Sequence, residues 1–204
     1  MKTTGIILAG GKSSRMGTNK ALLTIENKTV IERIVEQLEQ IVDEIIIVTN
    51  YFSDYEFLKL PMVEDLRKEM GPLAGIEAGL EASKTQWNLV VACDMPFISI
   101  ELGRYLLSCL EQYQGAVPEI SGQLHPLFAA YRKEASVAVS NSLNENQLRI
   151  RQLLHTIHAK IVKNDLIQSH GLSTEDIYFF NMNHPNEYQT AVNIVKGKGG
   201  VSES

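Results

Sequence analysis

Between Leu8 and Lys20 the chain reads Leu-Ala-Gly-Gly-Lys-Ser-Ser-Arg-Met-Gly-Thr-Asn-Lys, a glycine and hydroxyl loop that follows a short apolar stretch from Gly5 to Leu8. Glycine lets main chain approach a ligand closely, and successive N–H groups from Gly10 and Gly11 to Ser14 can form an anion-binding concavity. Arg15 and Lys20 add positive charge just after it. A polyphosphate suits such a loop; the plainer alternative is a tight strand-to-helix turn beside solvated charges. Asp94 offers the complementary chemistry. It follows the apolar run Asn88 to Cys93 and precedes Met95-Pro96, so its carboxylate emerges where a buried strand ends. A hard oxygen there suits Mg2+ that shares its coordination with substrate phosphates; the alternative is a turn or helix-capping aspartate. Asn50 closes another apolar run and can either hydrogen-bond a purine edge or hold a turn. A strand is expected around Tyr178 to Asn181, and Asn181 and Asn183 alternate on this extended segment, which would aim both amides at one ligand. They could equally be turn residues before Pro185.

Two familiar phosphate loops do not fit these residues. A Walker A loop needs glycine where Ile6 stands, and the Rossmann fingerprint needs Gly-x-Gly-x-x-Gly, whereas Gly10-Gly11 is followed by no glycine before Gly17. Cys93 and Cys109 form no Cys-x-x-Cys pair and lie in apolar segments, so both read as buried thiols. His155 and His158 are better placed on a solvated helix face than around a metal.

The elements that position these residues follow from periodicity. Gly5 to Leu8 predicts a strand. Thr29 and Glu32 have capping-box spacing, and Val30, Ile31, Ile34, Val35, Leu38 and Ile41 share one face of a helix over about 29–40. Glu44 to Thr49 is β-branched and nearly unbroken, as in a strand covered on both faces. Pro72 suits the first position of a helix with Leu73, Ile76 and Leu80 buried. Asn88 to Cys93 is the next strand, and Ser99 caps a helix carrying Leu102, Leu106 and Leu110. Ala116 to Ile120 and Leu127 to Tyr131 flank Ser121-Gly122-Gln123 and should pair antiparallel. Helices over 133–142 and 147–156, a strand over 159–163 and a helix over 186–196 complete the chain. This alternation predicts an α/β fold: a three-layer α/β/α sandwich with a mostly parallel, mixed sheet, Rossmann-like in outline. One domain is expected over 1–196, with a mobile tail over 197–204. In such sheets ligands bind beyond the carboxyl ends of the strands, where the glycine loop, Asn50 and Asp94 all emerge.

Composition narrows the classes. The chain has 204 residues, 44% hydrophobic and 21% charged, which fits one globular unit. Its 19 basic and 24 acidic residues leave a net charge of −5, no broad positive surface for nucleic acid. No apolar run approaches the roughly 20 residues that span a bilayer, and Gly5 to Ala9 is too short for a signal-peptide core. A cytoplasmic protein without membrane association is expected.

Leu8 to Lys20 also resembles the N-terminal signature of nucleotidyltransferases with a GT-A-like fold. With Gly71-Pro72-Leu73-Ala74-Gly75, Cys93-Asp94-Met95-Pro96, His125-Pro126-Leu127 and Asn181-Met182-Asn183-His184-Pro185, the chain is similar to the molybdenum cofactor guanylyltransferase (MobA-type) family over residues 5 to about 188. The resemblance implies transfer of GMP from GTP to the terminal phosphate of molybdenum-bound molybdopterin, with Mg2+ as cofactor. Such a transfer runs by positioning and charge neutralisation, so it needs no protein nucleophile. The resemblance further implies that Lys20, with Arg15, binds the triphosphate and that Asp94 holds the metal. Leu8, Ala9, Gly10 and Gly11 would meet the nucleotide through backbone groups, Asn50 and Asp65 would lie beside it, and Asn181, Asn183 and His125 would face the pterin. Cofactor-biosynthesis proteins and recipient apoenzymes are the implied protein partners. One residue departs: the family carries Asp-Lys where this chain has Asn19-Lys20, which removes an acidic group next to the lysine. A CTP-dependent or sugar-phosphate nucleotidyltransferase, or a non-catalytic delivery protein, are the rival readings.

Overall fold

The computed structural model describes residues 1–10, 19–65, 67 and 70–199. In chain order the first half contains β1 (Thr3–Leu8), the short strands β2 (Thr24–Ile25) and β3 (Lys28–Thr29), α1 (Val30–Leu38), β4 (Glu44–Val48), β5 (Met62–Val63), α2 (Pro72–Ala82), β6 (Trp87–Ala92) and α3 (Ile100–Cys109). The second half contains β7 (Gly115–Ile120), β8 (Gln123–Leu124), β9 (Phe128–Arg132), α4 (Ala135–Asn144), α5 (Ile150–Thr156), β10 (Ala159–Lys163), α6 (Asn164–Ser169) and α7 (Pro185–Gly199). The local signals act as their chemistry requires. Thr29 accepts from the Glu32 N–H while the Glu32 carboxylate accepts from the Thr29 N–H at 2.7 Å, closing the capping box of α1. Gly71, at φ 71°, takes the turn before α2 and Pro72 starts the helix. The Ser99 hydroxyl accepts from the Leu102 N–H at 3.2 Å and caps α3.

The main sheet has the order β10-β7-β9-β6-β1-β4-β5, with β8 paired to β7. Along that path only β9 runs against its neighbours. The carboxyl ends of β1, β4, β6 and β7 therefore share one edge. The strands are buried on both faces and still alternate: Ile7, Ile47, Leu89 and Val91 pack with α1 and α3, and Ile6, Val48 and Val90 with α2 and α4. Helices thus cover both sides of a mixed, mostly parallel sheet, the three-layer α/β architecture expected from the alternation. Among the described residues no helix is long and apolar enough to cross a membrane.

Close packing of α2 on β1 depends on Gly79. A Cβ at that position would lie 2.4 Å from Ile6 Cγ2 and 3.2 Å from Val48 Cγ2. Overpacking outweighs the gain in helix propensity, so Gly79→Ala should destabilise the fold by about 2 kcal/mol in urea unfolding. Unchanged stability would mean that α2 is free to move off the sheet.

Three expectations change. The strand expected around Tyr178 to Asn181 is a 3-10 helix over Asp176–Phe179. Its N–H groups are satisfied locally, Tyr178 by Glu175 O at 3.1 Å and Phe180 by Ile177 O at 3.3 Å, and the chain then crosses the sheet end instead of joining an edge. The final helix continues through Gly199, past the expected boundary at 196; residues 200–204 lie outside the described residues. Cys109 is buried, but Cys93 is only half-buried because it stands one residue past β6, on the open edge.

Candidate active site

The shared edge begins with the main chain after β1. The Ala9 N–H donates to Val48 O at 2.8 Å, the Cys93 N–H to Leu8 O at 3.1 Å, and the Thr49 hydroxyl to Ala9 O at 3.3 Å. Leu8 and Ala9 are thereby tied between the ends of β4 and β6, and Gly10 is exposed where the glycine loop starts. Gly11 and Arg15 lie outside the described residues. The Cys93 thiol is pushed up to about 12, first by burial and then by Asp94, so it stays protonated and offers no thiolate ligand.

Asp94 stands at the centre of this edge. Burial pushes its carboxyl up from the ordinary value, the positive charge of Lys20 opposes that rise, and Glu187 reinforces it. Its main-chain carbonyl accepts from the Met182 N–H at 3.0 Å, fastening the Asn181–Asn183 segment over the sheet end. Lys20 closes the same junction from another side, its ammonium donating to Asn183 Oδ1 at 2.9 Å. Glu187 holds the segment from below: its carboxylate accepts from the N–H groups of Asn183 and His184, the latter at 2.7 Å. The Tyr188 hydroxyl adds a bond to Thr24 O at 2.7 Å. Asn181 behaves differently from Asn183, turning its amide back to Phe179 O at 3.2 Å. The common orientation expected of the two asparagines fails because the segment is not a strand. Among the described residues no three His, Cys, Asp or Glu side chains converge on a point. One carboxylate at a polar edge nevertheless fits Mg2+, which keeps water and takes most of its oxygens from substrate phosphates.

A second chain of contacts leads from β4 to α2 and α4. Asn50 Oδ1 accepts from the Asp65 N–H at 3.0 Å, and Asp65 Oδ1 accepts from the Arg67 N–H at 2.9 Å. Arg67 pairs with the buried Glu77 at 2.6 Å and donates to Asn144 and Ser140 at 2.8 and 3.1 Å. Asn50 and Asp65 are therefore brought together at the end of β4. Burial raises the Asp65 carboxyl, the Arg67 N–H opposing it and Glu77 and Glu64 adding to it.

His125, at the end of the β7–β8 hairpin, packs tilted against Phe179 with ring centres 4.5 Å apart, which places it under the segment leading to Asn181. Burial holds its imidazole below the ordinary value of 6.5. Between that lowered value and about 6.5 unfolding takes up a proton, so stability should fall as pH drops through this window. His125→Phe keeps an aromatic ring on Phe179 and should flatten that part of the pH–stability curve; an unchanged slope would mean that the imidazole does not titrate with folding. Beside it a cleft of about 530 Å³ is lined by Gly122, Leu124, Pro126, Arg149 and Arg151.

Sequence reasoning missed several of these groups. Glu187 was detectable, since Pro185 at the first helical position and a glutamate two residues later mark a helix start. Arg67 and Glu77 carried no local signal, because their partners are distant in the chain. His155 and His158 are both exposed, as expected, but only His155 lies on α5; His158 follows the helix and stacks on Tyr113 with ring centres 5.3 Å apart.

The chain matches the family model for the MobA-like NTP transferase domain over residues 5–161. It is 37% identical over 187 residues to a protein of Pelotomaculum thermopropionicum named "Probable molybdenum cofactor guanylyltransferase", covering 92% of this chain and 90% of that one. A protein of the same name from Clostridium perfringens is 36% identical over 193 residues, covering 94% and 97%. The crystal structure of molybdopterin-guanine dinucleotide biosynthesis protein A from Archaeoglobus fulgidus superposes with a TM-score of 0.80 at 24% identity, over 95% of this chain and 99% of that one. At that identity the likeness establishes the fold.

Proposed function

Because the chain belongs to the MobA-like NTP transferase domain family and is a nucleotidyltransferase of molybdenum cofactor biosynthesis, we propose that it transfers GMP from GTP to the terminal phosphate of molybdenum-bound molybdopterin. The observation that most supports this reading is the junction at Asp94. There the triphosphate-side Lys20 and the acceptor-side Asn183 meet at 2.9 Å, and the acceptor segment is fastened to the Asp94 main chain. Two substrates that must react with each other need their recognition groups to converge in this way.

In the proposed reaction an oxygen of the acceptor's terminal phosphate attacks the α-phosphorus in line. The bond from that phosphorus to the β-phosphate oxygen breaks, and its electron pair leaves with pyrophosphate. The attacking oxygen is already anionic near neutral pH, since the second pKa of a phosphate monoester is about 6, so no protein base is required. The work of the chain is to bind, align and neutralise. Lys20 and Arg15 set positive charge against the leaving pyrophosphate. Leu8, Ala9, Gly10 and Gly11 line the nucleotide with main chain, while Asn50 and Asp65 stand on the base side. Asn183 and His125 face the pterin, while Asn181, its amide bonded back to Phe179 O, braces the segment that carries Asn183. Asp94 is the residue that would hold Mg2+, which when bound supplies Lewis-acid neutralisation of the phosphate oxygens. A free nucleotide and a small pterin place the reaction in the cytoplasm, between the proteins that load the pterin and the apoenzymes that receive the product.

Pyrophosphate release measured with GTP, CTP and ATP, each with the pterin acceptor and Mg2+, tests the assignment. GTP should give the highest kcat/KM. A preference for CTP would overturn the choice of guanine, and nucleotide binding without product would overturn the catalytic reading.

A further inference from the structure

Lys20 is carried by a single 3-10 turn, Lys20–Leu22, whose cap is Asn19. Asn19 Oδ1 accepts from the Ala21 N–H at 3.2 Å, the ordinary bond of a cap. Its amide nitrogen points the other way, to a segment more than thirty residues distant: Nδ2 donates to Asp54 Oδ2 at 3.0 Å and lies 2.9 Å from the Tyr55 hydroxyl. The same hydroxyl is 3.3 Å from Asn19 Oδ1. Tyr55 is almost fully buried, so this anchor is part of the core. An amide has one accepting and one donating end. Here the cap uses the first and Asp54 the second, which fixes the direction of the side chain. A carboxylate at position 19 could still cap the turn, but it would set two anionic oxygens at hydrogen-bond distance.

We propose that Asn19 and Asp54 form a directional polar clamp that positions the Lys20 turn, with Asn19 acting as a positioning residue for the triphosphate. The inference rests on the assignment of Lys20 to the triphosphate and adds to it the group that orients Lys20. Lys20 also meets Asn183, so a shift of the turn disturbs both substrate sides together. The clamp is a matter of polarity: it works with an amide opposite a carboxylate, whichever position carries which.

The test compares Asn19→Asp, Asp54→Asn, the exchanged double variant Asn19→Asp/Asp54→Asn and Lys20→Met, in pyrophosphate release with Mg2+, GTP and the pterin acceptor, alongside the melting temperature. Asn19→Asp should raise KM for GTP by roughly ten-fold, since small displacements of a positioning group cost one to two orders of magnitude, with a much smaller effect on melting. The double variant restores a donor opposite an acceptor and should return KM to within about three-fold of the parent, because effects within one hydrogen-bonded pair are not additive. If Asn19→Asp does not fold, the double variant must still fold and bind GTP as the parent does. A double variant as impaired as Asn19→Asp, or an unimpaired Asn19→Asp beside a strongly impaired Lys20→Met, would overturn the clamp. If Lys20→Met itself left KM and kcat for GTP unchanged, the failure would lie in the assignment of Lys20, and the clamp would fall with it.

Discussion

Replacing Asp94 by asparagine should lower pyrophosphate release from GTP by on the order of 10³-fold, the upper range for loss of one preorganised electrostatic group, while the protein should stay at least as stable. The shape is kept and the charge that would hold the metal is lost. Stability follows from the sign of the pKa shift. Burial raises the Asp94 carboxyl in the folded chain, so the native state holds its proton more tightly than the unfolded chain. Stability from this group is present at low pH and is lost as pH rises through the folded value. At neutral pH the bare carboxylate is therefore a burden on the fold, and an amide removes it. Melting in a chelator together with turnover in Mg2+ checks both halves. Full activity in the variant would remove Asp94 from the site.

Lys20→Met should lower kcat/KM for GTP by roughly 10²–10³-fold, as expected for removing a charge aimed at developing negative charge. Arginine should rescue poorly, since a planar fork does not replace a point charge. Two further readouts separate this effect from simple loss of structure. Lys20 holds the Asp94 carboxyl down against burial, so its removal should shift the acid limb of the activity profile to higher pH. It also donates to Asn183, so KM for the acceptor should rise as well. An unmoved acid limb would mean that the two groups do not communicate.

Much of the scaffold could be read from the residues because the signals are local. The Thr29–Glu32 box, Pro72 after Gly71 and Ser99 each start the helix they announce. The β-branched run from Glu44 lies in the sheet interior, and the alternation of strands and helices led directly to the edge where Asn50 and Asp94 emerge. The segment Tyr178 to Asn181 misled because its aromatic residues favour strands in general, whereas here Phe179 packs on His125 and Phe128 across the sheet end. Asn19 shows the limit most clearly. Taken alone it is the loss of an acidic group beside Lys20. In the fold a carboxylate meets Asn19 itself, supplied by Asp54 from the 3-10 turn Phe52–Asp54, a pairing that no local spacing announces. Arg67 and Glu77 are invisible for the same reason: each is an ordinary surface charge until the loop after β5 folds onto α2.

Calorimetric titration of the folded protein with GTP tests the core of this account most directly. With Mg2+ present the heat should fit one site, shrink sharply when the cation is chelated, and be largely lost with the Lys20→Met variant. A folded sample that takes up no nucleoside triphosphate, with or without divalent cation, would contradict the account at its root.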